Sequence, residues 1–450
     1  MKRKIYAELS AWKNEGAGRT ALLIDGARRV GKSYIVEEFA RNEYKTSVLI
    51  DFNRAPEDVK NLFHQYMNDL DTFFLYLSGF YNVKLYPRET LIIFDEVQLF
   101  PKARAALKYL VADGRYDYIE TGSLMTIKKN IQDIVIPSEE RHIKMYPMDF
   151  EEFLWALGND TLMDFVRACF ADRKAMGQAL HRKAMDYLRQ YLIVGGMPQA
   201  VQAYADTKDF DKTDQAKRDI LNLYRADIVK HAAGYEMKVE RIFDEIPAQL
   251  QKHEKRFKLS SLKKQARFRE YEDALFWLDD AMIANICYNS TEPNVGLKLN
   301  TDRITLKCYM ADTGLLISHA FDENEIVNAA IYKKLLFDKL EINKGMLVEN
   351  LVAQMLAAAR HKLYFYSNSS RNDSSSRMEI DFLIARSKIG SRHNISPIEV
   401  KSGKNYTLTS LEKFRAKYSN QLHIPYVLHT NDLKIQNDIV FLPIYMTPLL

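Results

Sequence analysis

Cysteine is scarce in this chain of 450 residues, with only Cys169, Cys287 and Cys308 present. Three thiols, odd in number and far apart, suggest neither a disulfide framework nor a CxxC metal site; buried free thiols are expected. Long apolar runs are also missing. No stretch approaches the ~18 residues that span a bilayer, and the start, Met1-Lys2-Arg3-Lys4-Ile5-Tyr6-Ala7-Glu8, lacks the apolar segment of a signal peptide. The expectation is a cytoplasmic protein with no membrane partner. Nor is charge of one sign in excess. Lys and Arg number 64 against 59 Asp and Glu, and a net charge of +5 does not by itself demand a nucleic acid.

What is present is an ordinary globular composition, 47% hydrophobic and 27% charged. The length exceeds one core of ~100–200 residues, so three units are expected.

The first specific signal lies near the N-terminus. An apolar run, Ala21 to Ile24, leads into Gly26-Ala27-Arg28-Arg29-Val30-Gly31-Lys32-Ser33, followed by a helical pattern from Tyr34 to Ala40. Strand, glycine-containing turn and helix is the context in which G-x-x-x-x-G-K-[ST] binds phosphates. Backbone N–H groups point at the anion and the helix dipole favours it. In that reading Lys32 reaches the β- and γ-phosphates of ATP and Ser33 holds Mg²⁺.

A second apolar run, Leu91-Ile92-Ile93-Phe94, ends in Asp95-Glu96. A buried parallel strand reads as continuous apolar residues, and its carboxyl end opens where α/β sheets bind ligands. Asp95 is assigned to the Mg²⁺ shell and Glu96 to general-base activation of water. The strands Thr46–Phe52 and Tyr116–Glu120 complete the sheet. The second runs into Thr121-Gly122-Ser123, where either Thr121 or Ser123 could sense the γ-phosphate, or both could be ordinary turn residues. Arg28 and Arg29 could touch phosphate or pair with an acid. Arg141 could stabilise the transition state or form a surface salt bridge.

From Phe150 to about Lys230 the pattern is helical, broken at Gly195-Gly196. Between Lys238 and Asn289, three helical stretches and a strand, with a helix start at Ser260, suggest a winged helix. Within it Lys252, Lys255, Arg256, Lys258, Lys263, Lys264, Arg267 and Arg269 crowd together, the footprint expected for contacts with a phosphate backbone. The C-terminal third reads as a helix at Gly345–Ala359, strands at Leu363–Tyr366, Glu379–Ala385 and Pro397–Lys401, a helix at Leu408–Tyr418, and strands at Tyr426–His429 and Ile439–Tyr445. Glu399 and Lys401 alternate on one strand and therefore share a face. Asp381 and Glu399 could bind Mg²⁺, with Lys401 steadying the attacking water.

Taken together, the P-loop, Phe94-Asp95-Glu96, Thr121-Gly122-Ser123, Tyr146-Pro147-Met148-Asp149-Phe150-Glu151-Glu152-Phe153 and Gly195-Gly196-Met197-Pro198 form a recognisable series. Tyr309-Met310-Ala311-Asp312-Thr313-Gly314-Leu315 and Ile398-Glu399-Val400-Lys401-Ser402-Gly403 extend it over nearly the whole chain. The chain thereby resembles the AAA-type P-loop ATPases of bacteria and archaea that carry a C-terminal domain similar to restriction endonucleases. Glu140 stands before Arg141 where many relatives carry Gly. The resemblance implies a PD-(D/E)xK signature of Asp381, Glu399 and Lys401, with Glu349 as the extra acid on the preceding helix.

The expected fold is therefore α/β: a P-loop AAA+ ATPase core (1–150) with a helical lid (151–235), a winged-helix module (236–310) and a restriction-endonuclease-like domain (311–450). The function expected is ATP hydrolysis with Mg²⁺ that drives or switches DNA-binding and nuclease-like parts, with double-stranded DNA and a second copy of the chain as partners. The alternative is a regulatory ATP switch whose nuclease-like domain does not cleave. A small-molecule kinase is disfavoured, because an Asp-Glu pair suits water activation.

Overall fold

The computed structural model describes residues 1–122, 138–232, 234–252, 256–294, 296–322, 344–368, 377–385, 394–403 and 405–450. The expected γ-phosphate sensor Ser123, the basic residue Lys255 and the Ser/Asn-rich segment 369–376 lie outside them. The chain forms two compact units, Met1–Tyr146 and Pro147–Leu450. The expected divisions at 235 and 310 both fall inside the second.

In the first unit the apolar run predicted as a strand is β1 (Ala21–Gly26), whose four apolar residues are fully buried. It leads through the turn into α1 (Lys32–Glu43). Strands β2 (Thr46–Asp51), β3 (Thr90–Asp95), β4 (Asp117–Gly122) and β5 (Glu140–Met145) complete a parallel sheet in the order β2-β3-β4-β1-β5. Register brings the carboxyl ends to one edge: Asp51 lies beside Asp95, Phe94 beside Glu120, Asp25 beside Gly122 and Gly26 beside Met145. Because β4 runs between β1 and β3, Thr121 sits between the phosphate-loop strand and the acidic strand.

An aromatic core holds β3 in place. Phe94 packs edge-on against Phe52 and Phe63, with centroids 5.7 Å apart in each pair, and Phe63 packs on Phe73 at 5.1 Å. Each buried ring contributes about 1.5–3 kcal/mol through removal of apolar surface from water, so the end of the strand carrying Asp95 is firmly anchored.

The second unit begins with helices. Asp149 caps Phe150–Ala156 in a reciprocal box, accepting from Glu152 N at 2.9 Å while its own N–H donates to Glu152 Oε2 at 3.0 Å. This gives the Tyr146–Phe153 motif a local structural purpose. Two further motifs of the series meet in space. The helix Gln178–Val194 ends at Gly195-Gly196, and Asp312 caps the helix Thr313–Ala320 through Leu315 N at 2.9 Å while also accepting from Gly196 N. A Cβ on Gly196 would stand 2.1 Å from Met148 O, and one on Gly314 2.4 Å from Val194 O. The glycines are required by backbone packing against backbone.

Strands β6 (Ala284–Ser290) and β7 (Thr301–Met310) form a hairpin. The helices Glu236–Gln251 and Phe268–Asp280 precede it, and the helix expected to start at Ser260 is a single 3₁₀ turn, Leu259–Ser261. This hairpin does not stand apart. Its strand β6 pairs in parallel with β8 (Tyr364–Asn368), and β9 (Met378–Ala385), β10 (Ile395–Val400), β11 (Tyr426–His429), β12 (Lys434–Gln436) and β13 (Ile439–Pro443) extend the same sheet. The order is β12-β13-β11-β10-β9-β8-β6-β7. The helix Lys344–Ala358 packs against β7 and β10. Among the described residues no helix is long and apolar enough to cross a membrane, and all three cysteines are buried and free, as expected.

Candidate functional site

The turn after β1 achieves its shape through two left-handed residues, Arg29 (φ +69°) and Gly31 (φ +95°). Gly31 begins α1 without a side-chain cap, and the first turn of that helix carries no acidic residue. The positive end of a twelve-residue helix is thus left for an anion. Ala27 and Val30 are fully buried and anchor the turn from below, whereas Arg28 and Arg29 are exposed. A brace that sequence reasoning missed comes from the N-terminus. The buried guanidinium of Arg3 donates to Val30 O and Tyr146 O, each at 2.7 Å.

Lys32 Nζ donates to the loop's own carbonyls, Gly26 O at 2.8 Å and Ala27 O at 3.0 Å. Desolvation lowers its pKa, while the carboxylates of Glu96, Asp95 and Asp25 favour the charged form. Ser33 Oγ donates to both oxygens of Asp95, at 2.9 and 3.0 Å, and buried Thr121 donates its hydroxyl to Asp95 Oδ1. Serine, threonine and aspartate therefore converge from α1, β4 and β3. A hydroxyl and a carboxylate presented together form a hard-oxygen donor set that suits Mg²⁺, and the uncapped helix start beside Lys32 suits a polyphosphate; both groups fit.

Glu96 adopts the left-handed conformation (φ +53°), and its carboxylate accepts from the buried Gln98 amide. A non-Gly residue held there is uncommon and marks local constraint. Gln98 was missed in the sequence, where Glu96-x-Gln98 gives only a weak signal. Arg141 behaves differently. It lies on β5 in register with Leu22, four residues before Gly26, and pairs with Glu15 at 3.5 Å. The structure does not bring it to the phosphate loop of its own chain.

A second set of charged groups gathers in the other unit. Glu379 and Asp381 alternate on β9, Glu399 lies on β10 with Lys401 just beyond, and Glu349 comes from the helix Lys344–Ala358. The Lys401 ammonium donates to Glu399 Oε1 at 2.9 Å, and Val400 N donates to Asp381 Oδ2 at 2.8 Å. The four residues of the predicted signature are thus brought together, as are three that were overlooked: Lys307, Tyr309 and Glu379. Lys307, fully buried on β7, reaches Glu379 Oε1 at 2.9 Å, Glu349 Oε1 at 3.2 Å and Asp381 Oδ1 at 3.9 Å. Tyr309, two residues on and hence on the same face, donates to Glu349 Oε1.

Burial opposes the charge on Lys307, yet Glu349, Glu379 and Asp381 outweigh it and raise its pKa well above the usual lysine range. Burial also pushes Glu399 up to about 8, reinforced by Asp381 and opposed by Lys401. Mg²⁺, expected between Glu349, Asp381 and Glu399, does not fit this arrangement, because a permanent cation already sits among two of those acids and Glu379.

Comparison with known proteins agrees with the N-terminal geometry. Residues 18–154 match the family described as AAA domain, so this region is an AAA-type P-loop module. Residues 185–325 and 344–447 match two families described as domains of unknown function, DUF8612 and DUF4143. No curated protein matches. Among solved structures, the chain is similar to a Walker-type ATPase of Pyrococcus abyssi, with 15% identity, 71% of this chain and 95% of that one covered, and a TM-score of 0.39. It is also similar to the ORC1 protein of Aeropyrum pernix in complex with DNA, with 13% identity, 73% and 94% covered, and a TM-score of 0.29.

Proposed function

We propose that the chain binds ATP with Mg²⁺ in its N-terminal unit and hydrolyses it, using the cycle to switch the second unit. The observation that carries this reading is the convergence of Ser33 and Thr121 on Asp95 beside an uncapped helix start and Lys32. Gly26 to Ser33 would cradle the phosphates, Lys32 would exchange its two carbonyl partners for phosphate oxygens, and Ser33 with Asp95 would hold the metal. Mg²⁺, when bound, supplies charge neutralisation at the phosphate oxygens. Glu96, oriented by Gln98, accepts the proton of the attacking water, and Thr121 fixes the Asp95 carboxylate. Since Arg141 pairs with Glu15 away from the loop, a transition-state arginine would come from the loop itself, Arg28 or Arg29, or from a second copy of the chain.

Support for double-stranded DNA as a partner is electrostatic. Lys252, Lys258, Lys263, Lys264 and Arg267, between the helices Glu236–Gln251 and Phe268–Asp280, and Arg269, in the first turn of the second, are all exposed, although Lys252 also pairs with Glu245 at 3.6 Å. Arg256 is instead turned inward, to Ser367 and Glu379. Of the two readings of the C-terminal region, cleavage by a PD-(D/E)xK site and docking without cleavage, the position of Lys307 favours docking.

The test is phosphate release from ATP and Mg²⁺ by wild type, Lys32→Ala and Glu96→Gln, each with and without double-stranded DNA. Turnover by wild type alone, raised by DNA, is expected. Equal turnover in Glu96→Gln would remove the assigned base, and no turnover in any condition would reduce the N-terminal site to nucleotide binding at most.

A further inference from the structure

Acidic groups gathered in one place invite a divalent cation, and the C-terminal cluster brings together Glu349, Glu379, Asp381 and Glu399. The arrangement around them differs from an open metal site in one respect. At its centre stands the ammonium of Lys307, wholly buried, 2.9–3.9 Å from carboxylate oxygens of three different residues. Those residues come from two elements, a helix and β9, while the lysine comes from a third, β7. An ammonium shares with a metal ion its positive charge and its demand for several oxygen partners, but it is covalently tethered and cannot be removed by a chelator.

We propose that Lys307 is a built-in counter-ion that takes the place of a divalent cation, so that the wild-type cluster binds no metal and becomes a metal site only when this lysine is removed. The tether explains why Lys307 lies on a strand whose neighbours, Leu306 and Cys308, are buried and apolar: the ammonium is delivered from inside the fold. Phe365, with its ring centroid 5.0 Å from Nζ, closes a further side. Within the cluster, Glu399 Oε2 is buried and has no hydrogen-bond partner among the described residues, an oxygen that a larger, multivalent cation could engage once Lys307 is gone. The charge count also runs against adding a metal while the lysine is present. Lys307, Lys401 and Arg256 already stand against the four acidic groups, so a divalent ion would have to displace a paired, buried charge. This proposal is independent of the ATPase reading, since it uses no residue of the N-terminal unit.

The experiment uses the full-length chain, freed of metal and nucleotide, titrated with Mn²⁺ and followed by the electron paramagnetic resonance of the free ion. Wild type and Asp381→Asn should show the same Mn²⁺ binding. Lys307→Met should gain one further site, at least ten-fold tighter than any Asp381-dependent binding in wild type, and Lys307→Met/Asp381→Asn should lose it. If Lys307→Met folds only when Mn²⁺ is added, that rescue supports the same conclusion. The proposal is overturned if wild type already binds Mn²⁺ more tightly than Asp381→Asn, a comparison that does not depend on any lysine variant folding. A folded Lys307→Met that gains no site overturns it equally.

Discussion

Replacing Gly26 by alanine tests the phosphate loop through geometry rather than chemistry. The new Cβ would lie 2.4 Å from Met145 O, a backbone atom, and 3.2 Å from Val30 Cγ2. Real Cβ atoms essentially never come within 3.0 Å of such neighbours, so β1 and β5 must separate by roughly 0.6 Å at their carboxyl ends, an overpacking that costs about 1–3 kcal/mol. For a unit of this size each kcal/mol lowers Tm by about 2–4 °C, which gives a fall of about 2–12 °C. The functional loss should be larger. Gly26 O is also a partner of Lys32 Nζ, so the shift moves the loop and its cation together, and displacements approaching ~1 Å at a reacting site can cost about 10²-fold in rate. Differential scanning calorimetry and phosphate release on Gly26→Ala are the assays. Native Tm together with native kcat/KM would refute the reasoning, because it would mean that the close approach of β5 to the loop is not a constraint.

Thr121→Val removes the hydroxyl donated to Asp95 but keeps the volume and the Ser33 contact. Single-turnover hydrolysis is expected to fall about ten-fold while nucleotide affinity is retained, and a parallel loss of both would assign Thr121 to binding instead. In the second unit, Asp312→Ala deprives the Gly196 and Leu315 amides of a buried charged acceptor. The variant should be less stable in denaturant by about 3 kcal/mol, and an unchanged midpoint would mean that the two motifs are not locked through this residue. Glu399 supplies a pH dependence. Its folded-state pKa of about 8 lies above its ordinary value of 4.5, so between these values the folded chain keeps a proton that the unfolded chain has lost. Its contribution is complete below about pH 4.5 and is lost as pH rises through about 8. Glu399→Gln, permanently neutral, should flatten that part of the urea-stability profile and be the more stable protein above pH 8; parallel profiles would exclude the raised pKa.

Which parts of this molecule were legible in the sequence follows from whether the signal is local. The phosphate loop needs contiguous residues for its chemistry, so Gly26 to Ser33 declared itself. Strands β1 and β3 did so because a strand buried on both faces is a continuous apolar run. The edge strand β5 did not, since Glu140-Arg141-His142 begins it and only Ile143 and Met145 are buried. Strand β7 was hidden similarly by Asp302, Arg303 and Lys307. Glu379 could have been found by applying to β9 the alternation that linked Glu399 to Lys401. Lys307 could not, because its partners lie about forty and seventy residues downstream and nothing near it in the chain indicates an acid. The same non-locality joins the hairpin to the C-terminal sheet through Tyr288 and Tyr364, a pairing that no local pattern encodes.

The two strand aspartates, Asp95 at the end of β3 and Asp381 within β9, look alike as sequence, each beside apolar residues and with a glutamate one or two positions away. Their surroundings separate them. Asp95 is held by the neutral hydroxyls of Ser33 and Thr121, which can turn an oxygen lone pair toward an incoming cation without any charge being displaced. Asp381 lies 3.9 Å from the buried ammonium of Lys307 and accepts from the backbone of Val400. A cation arriving there must expel a charge that is itself paired with Glu349 and Glu379, and breaking such a buried set is strongly unfavourable. Whether a carboxylate serves a metal is thus decided by the partner it keeps in the resting protein. By that criterion the metal chemistry we propose lies at Asp95, while at Asp381 the lysine is proposed to stand in the place of a metal.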